Sequence, residues 1–196
     1  SLGVPTAKPP NPLEGFAVGT PELLTLKADD GTTLYAKMHK PQNFDPQKKY
    51  PVLIYVYGGP HAQEVKNSWG VGSYLWLSAF AQNDQYIVFT LDNRGSENRG
   101  FAFESVIHRH LGDYEIKDQL AGVAYLKSLP YVDGNRIAVH GWSFGGFMAS
   151  SLLTRHPEIF RTAVAGGAVT DWKYYEVMYG ERYMDTPQTN PEGYEN

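Results

Sequence analysis

The 196-residue chain contains no cysteine, which excludes disulfides and thiolate metal sites. It has no run of about 18 apolar residues, so no segment reads as a membrane span. Its formal charge is only −4, too mild a balance to point to nucleic acid or an acidic lipid surface as partner. No histidine cluster has metal-ligand spacing; His108 and His110 stand in a polar stretch and read as surface residues. No internal repeat and no signal-peptide pattern is found, and the start reads as an internal cut. What is present is an apolar content of 42% with mean hydropathy −0.40, enough for the core of one soluble domain.

Residues 1–12 hold four prolines and read as a linker or extended segment. Glu22 to Ala28 and Thr32 to His39 flank Asp29-Asp30-Gly31 as a hairpin. Val52 to Tyr57 and Tyr86 to Leu91 are continuous apolar runs, the pattern of strands buried on both faces. Tyr74 to Gln82 reads as a helix with Tyr74, Leu77 and Phe80 near one face. Glu115 to Leu129 reads as an amphipathic helix with Ile116, Leu120, Val123 and Ala124 inward, stopped by Pro130. Arg136 to His140 is a strand, Phe144 to Arg155 a helix and Thr162 to Ala165 a further strand. Alternation of this kind predicts an α/β fold, a mostly parallel sheet with helices on both faces. Active sites in such sheets lie at the carboxyl ends of the strands. Tyr57, Arg94 and Ser143 each follow a strand and so point to one rim.

Between a strand and a helix stands Gly141-Trp142-Ser143-Phe144-Gly145. Gly-x-Ser-x-Gly in that setting is the pattern of a nucleophile elbow. The turn is too sharp for side chains on either flank, so glycine fills the close-approach positions, and the serine hydroxyl stands up at the edge of the sheet. The pattern names a reaction class, acyl transfer through a covalent serine intermediate. A serine nucleophile needs a histidine base oriented by a carboxylate, here in the chain order Ser, Asp or Glu, His. After Ser143 the only histidine is His156, ~20 Å away along the helix that the elbow opens. Asp171 and Asp185 are followed by no further histidine. The expectation is a chain that stops before its own triad is complete.

Four segments in order carry a resemblance: Tyr55-Val56-Tyr57-Gly58-Gly59-Pro60-His61, Asp92-Asn93-Arg94-Gly95-Ser96, Gly141 to Phe147, and the aromatic stretch Asp171 to Tyr183. Together they resemble the prolyl oligopeptidase family of serine peptidases, and within it the dipeptidyl peptidase IV branch. The resemblance covers nearly the whole chain after about residue 13. It implies an α/β-hydrolase fold, with residues 13–196 forming the N-terminal part of the catalytic domain. A β-propeller would precede it, its last strand near Leu13 to Val18, and the triad Asp and His would follow Asn196. It implies an activity for the parent enzyme: release of N-terminal di- or tripeptides by cleavage after proline, through an acyl-enzyme.

By the same resemblance Ser143 is the nucleophile, and the backbone N–H of Phe144 and the hydroxyl of Tyr57 form the oxyanion hole. Val169, Trp172, Tyr175 and Tyr179 line the pocket for the proline on the acyl side of the cut bond. On the residues alone, Tyr57 is also readable as a strand-end tyrosine packed on the core. The aromatic stretch is equally readable as a helix with core aromatics. Asp92 to Gly95 is similar to the family's Asp-Gly-Arg-Gly turn, with Asn93 in place of the first glycine, and Arg94 reads as a brace of the rim. Gly95 to Gly100 lacks the ending of a phosphate loop and reads as a solvated turn. The implied partner is a peptide with proline at the cleavage position; no metal or cofactor is expected. A homodimeric parent in the periplasm or at the surface of a bacterium is implied as well. Two other readings stand beside this one: a plain α/β-hydrolase esterase, which shares the elbow, and a non-catalytic fragment or interaction module.

Overall fold

The β-branched and aromatic runs form the strands, and alternation along each assigns its two faces. The computed structural model describes residues 13–16, 18–68 and 75–195. The expected linker over 1–12 and the expected helical position of Tyr74 lie outside the described residues. Strands β1 (Glu22–Lys27) and β2 (Thr33–His39) form the hairpin, paired antiparallel from Glu22 with Met38 to Lys27 with Thr33. The Asp30 carboxylate closes its turn by accepting the Thr32 N–H at 2.8 Å, the local bond that suits Asp to turns.

Strands β3 (Tyr50–Tyr55), β4 (Ile87–Asp92), β5 (Val132–Trp142) and β6 (Phe160–Gly166) complete a sheet of order β1-β2-β4-β3-β5-β6. The sheet is mixed. β2 pairs antiparallel with β4, whereas β4, β3, β5 and β6 run parallel to one another. Helix α1 (Leu75–Asn83) covers one face, where Leu77 and Ala81 pack with Leu53 and Val88. After the short α2 (Phe101–Glu104), helices α3 (Asp113–Ser128) and α4 (Phe144–Arg155) join the opposite face. There Ile116, Val123, Met148 and Leu152 meet Val52, Ile54, Phe89, Ile137 and Val139 in the main core. Neighbouring residues of one strand thus enter two different cores, which is why these strands read as unbroken apolar runs. The sheet with helices on both faces is the α/β-hydrolase architecture expected.

Three expectations need correction. Leu13 to Phe16 form a turn closed by the Phe16 N–H on the Leu13 carbonyl, not the start of a strand. Ala124 of α3 is exposed; Ile116 and Val123 are buried and Leu120 packs on the core as expected, but the buried stripe also takes in Glu115, Asp118, Gln119, Gly122 and Leu126. The helix turns polar side chains inward because each finds a partner there, a possibility that an apolar-periodicity rule does not register. α2, the 3₁₀ turn Ser105–Ile107 and the short final helix Pro191–Glu195 were not anticipated.

Candidate active site

β5 ends at Trp142 and α4 starts at Phe144, so Ser143 alone reverses the chain. Its φ of +58° and ψ of −118° lie in a region that costs a non-glycine residue roughly 1–3 kcal/mol. The surroundings hold it there: its N–H donates to the Gly166 carbonyl of β6 at 2.9 Å, and its own carbonyl accepts the Phe147 N–H at 3.1 Å. A Cβ on Gly141 would sit 2.4 Å from the Val56 carbonyl oxygen, and one on Gly145 would sit 2.2 Å from the same atom. The two motif glycines therefore let the end of β3, the end of β5 and the first turn of α4 meet at one backbone oxygen. Phe144 is the first residue of α4, so its N–H has no acceptor within the helix and sits at the positive end of the helix dipole.

Tyr57 lies two residues beyond β3 and is half-buried, its ring centroid 6.3 Å from that of Phe144. Burial pushes its hydroxyl pKa up, and the neighbouring Tyr175 and Glu64 add to the shift. The hydroxyl accordingly keeps its proton and can donate a hydrogen bond. All seven residues singled out from the sequence, Tyr57, Ser143, Phe144, Val169, Trp172, Tyr175 and Tyr179, line one open pocket of about 200 Å³ including its mouth.

The aromatic wall is built locally. Asp171 starts the 3₁₀ turn Trp172–Tyr174 by accepting the Lys173 N–H, and Glu176 starts α5 (Val177–Met184) by accepting the Met178 N–H, the usual work of N-cap acids. The rings then fix one another: Trp172 stacks on Tyr179 at 6.0 Å and meets Tyr175 edge-on at 5.7 Å, while Phe144 and Phe147 hold its other sides. Trp172 is buried and Tyr179 packs against the main core. The two readings of this stretch are thus both realised, since the same rings pack on the core and face the pocket. Burial, then the nearby tyrosines Tyr57, Tyr183 and Tyr175, push the Tyr179 hydroxyl well up. Tyr183 was not singled out, although it meets Tyr179 at 4.7 Å; the i, i+4 spacing on one helix carries that signal.

The turn that ends β4 holds the rim together. Arg94 is buried; its guanidinium binds Asp118 through Nε at 3.0 Å and Nη2 at 2.6 Å, reaches Asp30 of the hairpin turn at 2.6 Å, and lies over the Tyr114 ring. Its neighbour Asn93, fully buried, bonds to the Gly58 carbonyl beside Tyr57. The possible partners for Ser143 lie elsewhere. Among the described residues no histidine is hydrogen-bonded to it: His140 Nδ1 meets the Val164 carbonyl, His61 pairs with Glu104, and His156, at the far end of α4, pairs with Glu158. Asp171 caps its turn, and Asp185 pairs with His108 and Arg109. Among the described residues no group of three or more His, Asp or Glu is arranged to hold a metal ion, and no helix is long and apolar enough to cross a membrane.

A serine on a strained strand-to-helix elbow, at the carboxyl edge of this sheet, defines the chain as an α/β-hydrolase. The sequence pattern of the prolyl oligopeptidase family matches residues 73–196. Human dipeptidyl peptidase 8 is 41% identical over 175 residues, 89% of this chain and 19% of that protein. A Bacteroides ovatus crystal structure, described as a candidate dipeptidyl aminopeptidase IV, superposes with TM-score 0.90 at 58% identity, covering 95% of this chain and 26% of that one. Dipeptidyl peptidase 4 of Porphyromonas gingivalis superposes with TM-score 0.83 at 34% identity, covering 91% and 25%. The chain belongs to the prolyl oligopeptidase family. It spans roughly a fifth of the length of the curated relatives that it matches.

Proposed function

We propose that this chain carries the nucleophile and the acyl-side pocket of a serine exopeptidase that releases N-terminal di- or tripeptides by cutting after proline. The observation that carries the reading is the convergence of Ser143, Tyr57, Phe144 and the four residues Val169, Trp172, Tyr175 and Tyr179 on one opening. Ser143 Oγ attacks the carbonyl carbon and its proton passes to a histidine base supplied by polypeptide outside these 196 residues. The carbonyl electrons move to oxygen, where the Phe144 N–H and the Tyr57 hydroxyl receive the charge; losing one such donor typically costs about 3–4 kcal/mol of barrier. The amine leaves with the proton, and water then hydrolyses the acyl-enzyme. Trp172, Tyr175, Tyr179 and Val169 offer flat apolar area and suit a proline ring, whose nitrogen carries no hydrogen in a peptide.

In the full-length protein, Ser143→Ala should abolish turnover of a Gly-Pro amide; retained turnover overturns the assignment. The 196 residues alone should label only slowly with a fluorophosphonate, because among the described residues no histidine is hydrogen-bonded to Ser143. Rapid labelling would contradict that part of the reading.

A further inference from the structure

We infer that Asn93 is the positioning residue for Tyr57, an inference that rests on Tyr57 acting as an oxyanion donor. Tyr57 is followed by Gly58 and Gly59, and a peptide between two glycines has the widest conformational range of any. Gly58 sits at φ +73°. The Tyr57 ring lies back over Gly59, in the space where a side chain would stand: a Cβ there would be 2.7 Å from Tyr57 Cε1 and 3.0 Å from Phe144 Cγ. The direction of the ring is therefore set by the orientation of the Gly58–Gly59 peptide, which the chain itself leaves free.

Asn93 supplies the missing restraint. Its Nδ2 donates to the Gly58 carbonyl at 3.0 Å and to the Arg94 carbonyl at 2.7 Å. Its Oδ1 accepts the Gln119 Nε2 at 3.0 Å, and Gln119 is itself held by the Leu91 carbonyl at 3.0 Å. The amide has one satisfying orientation, since a flip would turn its oxygen toward two carbonyls. The side chain is wholly buried, so no water competes for the Gly58 carbonyl, and a buried polar group left unmatched is costly. Asp92, one residue earlier, ties the far end of the same loop by accepting the Glu64 and Val65 N–H groups at 2.8 and 3.0 Å. Glycine, which the resembling turn carries at position 93, has no amide to offer.

The test is a double-mutant cycle in the full-length protein with a Gly-Pro amide as substrate. Asn93→Ala is expected to lower kcat about tenfold with KM within about twofold, the pattern of an interaction made in the transition state. In the Tyr57→Phe background the same change should alter kcat by less than about twofold, because the donor it positions is gone. Asn93→Asp, equal in shape but presenting oxygen to the Gly58 carbonyl, should show the same split, and it serves where the alanine variant does not fold. An equal loss of kcat in both backgrounds, or a loss carried by KM, overturns the inference and makes Asn93 a structural residue only. Unchanged kcat in Tyr57→Phe removes the oxyanion role and the inference with it, a result distinct from additivity.

Discussion

Replacing Asp118 with alanine leaves the Arg94 guanidinium buried with its main counter-charge gone. Side-chain exposure is 5% for Arg94 and 0% for Asp118. The pair is joined at Nε and Nη2, and Asp118 also accepts the Arg94 backbone N–H at 2.8 Å. Burial alone works against the charged guanidinium, but the hydrogen bonds and charge of Asp118 more than offset it and keep it protonated. Two unit charges about 4 Å apart at an effective dielectric near 20 attract by about 4 kcal/mol, in line with the about 3–5 kcal/mol lost when one partner of a buried pair is removed. Asp118→Ala and Arg94→Ala should each destabilise by that amount. The double replacement Arg94→Ala with Asp118→Ala should cost at least about 2 kcal/mol less than the sum of the singles. Asp30→Ala should cost much less than Asp118→Ala, since that carboxylate is half-exposed and its ion pair is screened, which leaves mainly the loss of the Thr32 turn bond. Urea unfolding followed by tryptophan fluorescence measures all four. Single losses below about 1 kcal/mol, or strict additivity, would refute the view of this pair as a buried brace.

Gly145→Ala should destabilise by about 3 kcal/mol or more, because its Cβ would meet the Val56 carbonyl oxygen at 2.2 Å and backbone cannot rotate away; an unchanged melting temperature would refute the close approach. The Glu115 carboxyl, sealed at the start of α3, is pushed up by burial to about 8 from 4.5, against the opposing Gly112 N–H bond. Since its folded pKa is raised, its contribution to stability is full at acid pH and is lost as pH climbs from about 4.5 through about 8, a loss on the order of 5 kcal/mol. Glu115→Gln should flatten that decline. Melting curves of variant and parent that stay parallel between pH 5 and pH 9 would exclude the effect.

The elbow was legible because its signal is local: strand, glycine, serine, glycine and helix all lie within a short stretch, and steric necessity fixes each. The fold class followed from the unbroken apolar runs of β3 and β4. The strand-end rule put Tyr57 and Ser143 at one rim, but that Trp172 joins them in one pocket was available only through the resemblance, since no periodicity relates its loop to theirs. What the sequence left hidden is long-range and polar. Asp118 and Gln119 look like solvent-facing residues of α3 until Arg94 and Asn93 are brought from the end of β4 to meet them. β5 extends from Val132 to Trp142, well beyond the expected Arg136 to His140, because its pairing partners β3 and β6 on either side, not its own composition, decide how far a central strand runs. The short α2 gives too few residues for any pattern to show.

The contact of Gly141 and Gly145 with a single oxygen of Val56 has a mechanical consequence. The residue after Val56 is Tyr57, and Ser143 stands between the two glycines, so attacking group and charge-receiving group hang from opposite sides of one main-chain junction. The spacing of the two main-chain stubs is set by hard atomic radii, which neither salt nor pH alters, and only the aim of the Tyr57 ring is left to the Asn93 bond.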